Sequence, residues 1–80
     1  MKLPRDISGE DLCQTLKVLG YEITRQSGSH VRLTTKQHGE HHITIPLHSS
    51  LRIGTLAGIL SDIAKHFDIS RDELLNKLFK

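Results

Sequence analysis

Hydrophobic positions along the chain follow a helical period, switch to an alternating one, and then return to the first. Leu12, Leu16 and Leu19 stand at i, i+4 and i+7, one face of a helix. Ser8 is placed as its N-cap, with Asp11 as a short form of the capping-box acid and Ile7 and Leu12 as a hydrophobic staple. Gly20 follows as the left-handed residue that ends such a helix. The spacing predicts a helix over roughly Gly9 to Leu19.

From Tyr21 the period becomes two. Tyr21 and Ile23, Val31 and Leu33, and Ile43 and Ile45 alternate with polar residues, separated by the turns Ser27-Gly28-Ser29 and Gln37-His38-Gly39. This predicts a three-stranded antiparallel meander. Pairing Gln26 with His30 sets Ile23 opposite Leu33, and pairing Lys36 with Glu40 sets Leu33 opposite Ile43, so both hairpins agree on one register. The dry face then holds Ile23, Val31, Leu33, Ile43 and Ile45. The wet face holds Glu22, Thr24, His30, Arg32, Thr34, His42 and Thr44.

Pro46 ends the third strand, and Leu47 to Gly54 is expected to be a loop. Thr55 is the expected N-cap of a helix with Leu56, Ile59, Leu60, Ile63 and Phe67 along one stripe. Asp68 to Ser70 interrupts it. Ser70 and Glu73 form a capping box, and Leu74, Leu75 and Leu78 give a last short helix. The predicted fold is α+β in the order α-β-β-β-α-α, with the helices on one face of the sheet.

With 80 residues the chain is expected to be a single domain, burying roughly 60 to 65% of its extended surface. Eleven Lys and Arg against nine Asp and Glu give a formal +2, so the distribution of charge matters more than its sum. A single cysteine, Cys13, excludes an internal disulfide and a Cys-based zinc site and points to a reducing compartment. No stretch approaches the ~20 apolar residues of a membrane span, and no signal-peptide core develops, so the expected location is cytoplasmic.

The chemistry centres on Gly28-Ser29-His30. A tight turn delivers a histidine to the wet side of the central strand, and an imidazole accepts and returns protons at cellular pH, as ribose 2′-OH attack on the adjacent phosphate requires. Gly28 lets the backbone approach a ligand, and the turn amides around Ser29 are suited to a phosphate oxygen. From the pattern alone, an ordinary hairpin with an exposed strand histidine remains the alternative. His48, in the loop that leads back toward His30, is an auxiliary acid or base candidate, or a plain loop histidine.

Arg25, Arg32, Lys36, Lys2 and Arg5, with Arg52, form a broken basic track suited to phosphate. Arg32 is two residues from His30 on the same face. A metal site is not expected: consecutive His41 and His42 face opposite ways, and His42 lies roughly 13 Å from His30 along the sheet. The wet face has no aromatic pair for base stacking, and no P-loop, dinucleotide fingerprint or serine-nucleophile elbow is present. No cofactor is expected.

These residues resemble a known family. Lys2-Leu3-Pro4-Arg5, Leu19-Gly20-Tyr21, Arg25 to His30, His42-Ile43-Thr44-Ile45-Pro46, Gly54-Thr55-Leu56 and Ile59-Leu60 occur in the order found in the HicA (YcfA-like) toxins of bacterial type II toxin–antitoxin systems. The resemblance implies a fold like the double-stranded-RNA-binding domain and metal-independent cleavage of mRNA by the histidine after the Gly-Ser turn, here His30. It also implies a HicB-type antitoxin partner that covers the histidine face and carries the DNA-binding function, so no direct DNA recognition is expected. One departure stands out: Ile63 to Phe67 adds about one helical turn, and Asp68 stands where the resemblance leads one to expect a glycine. A non-catalytic RNA-binding module on the same scaffold is the principal alternative, and a purely protein-binding domain is a third.

Overall fold

The structure, a computed structural model, describes residues 3–79. Helix α1 covers Gly9–Thr15, and a 3-10 turn, Leu16–Leu19, completes the predicted helical span. Ser8 Oγ accepts from the Asp11 N–H at 2.9 Å, and Gly20 takes the left-handed conformation at φ +82. Leu12, Leu16 and Leu19 are all buried, as their spacing requires.

Strands β1 (Glu22–Ser27), β2 (His30–Thr35) and β3 (His41–Pro46) form an antiparallel sheet in the order β1-β2-β3. Helices α2 (Ile53–Phe67) and α3 (Arg71–Leu78) join α1 on one face of it. Ser70 Oγ caps α3 by accepting from the Glu73 N–H at 3.1 Å. The core includes Leu12, Tyr21, Leu33, Ile45, Leu56, Leu60, Ile63 and Leu74. Thr35 is the buried polar residue among them, and it is satisfied: its hydroxyl donates to the Leu19 carbonyl at 2.7 Å and accepts from the Gln37 N–H at 3.1 Å. It ties the end of the first helical segment to the central strand.

Three local expectations are corrected. Ile23 faces the helix side of the sheet but is 54% exposed. The cause is that α1 and α2 pack against β3, so among the described residues nothing covers the far strand, and every residue of β1 is exposed. The first hairpin also turns on two residues, Gly28 and Ser29, and pairs Ser27, not Gln26, with His30. The register Ile23↔Leu33 still holds further along, and a β-bulge at Thr24 absorbs the difference. Finally, α2 starts two residues before Thr55, with extended Arg52 as N-cap and no side-chain capping bond. The Leu56 N–H bonds to the Arg52 carbonyl at 2.9 Å, so the backbone turn is closed before Thr55 is reached.

The second hairpin has the expected register, with Leu33 opposite Ile43, Thr34 opposite His42 and His30 opposite Pro46.

Candidate active site

The two-residue turn sets the geometry of the candidate site. Gly28 takes φ +59, the positive angle that the first central position of a type II′ hairpin requires. A Cβ at Gly28 would meet nothing within 4 Å, so the turn is open to an approaching ligand. The Ser29 carbonyl accepts from the Leu47 N–H at 2.6 Å, which fixes the turn against the chain leaving β3. His30 follows as the first residue of β2, between Ser27 and Pro46.

The bulge changes which residues surround His30. In an unbroken register from Ile23, Arg25 would stand opposite Val31 on the helix side. One extra residue moves it to the open face, directly across from Arg32, which is in turn paired with Thr44. Arg25, Ser27, His30, Val31, Arg32 and Thr44 line a shallow cleft of about 190 Å³. Among the described residues neither arginine has a carboxylate at ion-pair distance.

A hydrogen-bonded chain runs beside the cleft. Thr24 Oγ1 lies 3.3 Å from the Arg32 carbonyl and 2.9 Å from Thr34 Oγ1, which lies 2.8 Å from His42 Nδ1. His42 Nε2 is 2.8 Å from a Glu40 carboxylate oxygen. An ionised carboxylate only accepts, so Nε2 carries a hydrogen.

The other imidazoles are mostly engaged. The Tyr21 hydroxyl and His41 Nδ1 are 2.7 Å apart, and His41 stacks on His66 with ring centres 4.3 Å apart. His66 Nε2 donates to the Gln37 carbonyl at 3.0 Å, and His38 lies against the rings of His66 and Phe67. His30 is exposed and, among the described residues, its ring makes no hydrogen bond or ring contact. Both its nitrogens are open to a ligand.

The remaining sequence candidates are dispersed. His48 is exposed and does not line the His30 cleft; its backbone carbonyl accepts from the Gly9 N–H at 3.0 Å. Lys36 follows the far end of β2, roughly 20 Å from His30 at 3.4 Å per residue, beside Glu22 and Gln37. Arg5 shares a larger cleft of about 560 Å³ with Asp6 and Arg52 near the start of α2. Lys2 lies outside the described residues. Cys13 is buried, and burial, followed by the nearby Glu10, pushes its thiol pKa up, away from nucleophilic use.

The sequence-based candidates did not include Ser27 or Thr44, which line the cleft, or Thr24, which makes the bulge. The signal for Ser27 was present in the Gly28-Ser29 pair, a recognised two-residue hairpin turn.

The model of a protein family described as the HicA toxin of bacterial toxin–antitoxin systems matches residues 9–65, from the first residue of α1 to near the end of α2. The chain belongs to the HicA toxin family. No curated protein and no solved structure matches it. Membership of the HicA family supports an RNA-directed toxin function and a nuclease-type activity in general terms, and it is consistent with an mRNA substrate and a HicB antitoxin partner. The match spans the Gly28-Ser29 turn, the whole sheet and the face that carries His30. Among the described residues no helix is long and apolar enough to cross a membrane.

Proposed function

We propose that this HicA-family chain is a metal-independent endoribonuclease, acting as a single toxin domain in the cytoplasm, that cleaves mRNA and thereby blocks translation. The observation that carries the proposal is the state of His30. Its imidazole is exposed and, among the described residues, unengaged, in a cleft that also holds two arginines with no acidic partner among those residues.

His30 takes the proton from a ribose 2′-OH, and the oxygen attacks the neighbouring phosphorus. The bond from phosphorus to the 5′-oxygen breaks, and that oxygen takes a proton from solvent. The products are a 2′,3′-cyclic phosphate and a 5′-hydroxyl. Arg25 and Arg32 hold the RNA backbone over this face. Gly28 and Ser29 let the RNA backbone come close. His48 is the auxiliary acid or base should its loop close on bound RNA.

A HicB-type antitoxin neutralises the activity by covering the His30 face, and recognition of DNA resides in that partner. The test is cleavage of a labelled mRNA by purified, partner-free protein in EDTA, beside a folded His30→Ala variant. Cleavage by the wild type alone, ending in cyclic phosphate, is the expected result. Binding without cleavage by either protein would move the assignment to a non-catalytic RNA-binding module, and equal cleavage by both would remove His30 from the reaction.

A further inference from the structure

We infer that Arg25 and Arg32, with the Thr44 hydroxyl beside them, form a second phosphate subsite one nucleotide along the backbone from the linkage held at His30, and that Thr24 is its positioning residue. The inference rests on the ribonuclease reading only for which linkage is cut.

Arg25 and Arg32 are direct cross-strand partners. Like charges in that relation destabilise a sheet. No acid among the described residues offsets them, so an anion seated between the two guanidinium groups would relieve the repulsion. Phosphate suits the planar forks, which bind its oxygens in pairs. The cleft, at about 190 Å³, is below the ~300 Å³ at which small-molecule pockets begin, and it lies open on the sheet surface. It fits a group on a passing chain, not an enclosed base.

Spacing assigns the phosphate. His30 and Arg32 are two residues apart on one strand face, roughly 6.8 Å, which is comparable to the separation of successive phosphates in RNA. The next row across the sheet holds Glu22, Thr34 and His42, with Glu40 bonded to His42. Carboxylates therefore end the favourable strip, and the footprint on this face is two phosphates.

The bulge is what makes the subsite, and Thr24 is the residue it adds. Its hydroxyl reaches the Arg32 carbonyl and Thr34 Oγ1, fixing the local backbone that turns Arg25 to the open face. Bulges recur beside functional sites because they re-aim side chains in this way.

The first experiment uses the full chain and a short single-stranded 2′-O-methyl RNA, which lacks the attacking hydroxyl, with binding followed by fluorescence anisotropy across a salt series. The Arg25→Gln/Arg32→Gln double variant is expected to bind about tenfold more weakly and to lose about 0.7 from the slope of log K against log salt, the share of one phosphate. Thr24→Val should reproduce the loss of Arg25→Gln and add nothing to it, while Thr24→Ser should bind as the wild type does. An unchanged affinity and slope in the double variant would overturn the subsite and leave the arginines to an acidic protein partner. Losses of about 0.7 for each arginine separately would place them on two phosphates and overturn the shared site.

The second experiment compares cleavage of a dinucleotide and a trinucleotide. The added phosphate should raise wild-type kcat/KM about tenfold, a gain absent in Arg25→Gln. An equal gain in both proteins would put the arginine on the scissile phosphate and overturn the assignment. The binding series needs no turnover, so absence of cleavage refutes the ribonuclease reading separately.

Discussion

Gly9 brings α1 close against the backbone at the end of the strand that faces His30, and replacing it tests the geometry of the site from behind. A Cβ at Gly9 would fall far inside contact distance of the Pro46 carbonyl oxygen, 2.9 Å from the Pro46 carbonyl carbon and 3.0 Å from Leu47 Cα. All three are backbone atoms, so no side chain can swing aside. The Gly9 N–H also donates to the His48 carbonyl at 3.0 Å. Gly9→Ala should therefore carry an overpacking penalty of ~1–3 kcal/mol and put at risk a hydrogen bond worth ~1 kcal/mol. Against this stands at most the ~1 kcal/mol by which alanine favours a helix interior over glycine, reduced because Gly9 is the first helical residue.

The expected net change is a loss of about 2 kcal/mol, in a domain whose whole stability is roughly 4–12 kcal/mol at this length. Thermal unfolding should shift down by roughly 8–16 °C. Gly58→Ala is the matched control: it lies in α2 with nothing within 4 Å of the added carbon, and should gain ~0.5–1 kcal/mol from helix propensity alone. Because Pro46 pairs with His30 and Leu47 holds the Ser29 carbonyl, Gly9→Ala should also lower RNA cleavage more than Gly58→Ala does. Circular dichroism melts of the two variants decide the point. If Gly9→Ala stabilises the fold as Gly58→Ala does, the close contact between α1 and the end of β3 is not there.

Two further predictions follow from residues outside the cleft. Tyr21 is the sole tyrosine, and burial, with a smaller contribution from Asp62, raises its pKa. The raised value means that the buried phenol's stabilisation is present below the unfolded pKa of ~10 and is lost as pH climbs above it. Tyrosinate absorbance should thus appear only together with alkaline unfolding, and a titration near the unfolded pKa with native circular dichroism would refute the burial argument. Asp68 ends α2 in the left-handed conformation at φ +56, where an L side chain is strained. Asp68→Gly is expected to raise the unfolding free energy by ~1 kcal/mol in denaturant titrations, and a lower value would show that the carboxylate stabilises the helix end.

The helices and the second hairpin were legible because apolar residues report a face wherever they recur. Val31 and Leu33 on β2, with Ile43 and Ile45 on β3, fix that register, since a slip by one would turn one of the two pairs outward. β1 has only Ile23 to report its face; Thr24, Arg25 and Gln26 are polar, so their orientation leaves no trace in the hydrophobic pattern. Thr55 misled for a related reason. Threonine is a favoured N-cap, but the start of α2 is set by the backbone bond from Leu56 to Arg52, and Ile53, half exposed, adds no buried residue to mark the first turn.

The same exposure explains why the bulge can exist where it does. An inserted residue in β2 would turn Val31 or Leu33 outward, at ~1.5–3 kcal/mol for each side chain left in water. On β1 the insertion exchanges polar residues between two wet surfaces: Arg25 goes to the open face, and Gln26 goes to the helix side, where nothing packs on it. The uncovered edge strand is thus the one place in this sheet where register can be altered at little cost. It also flanks the strand that carries His30, which is why an arrangement with no hydrophobic signature can set two arginines beside that histidine.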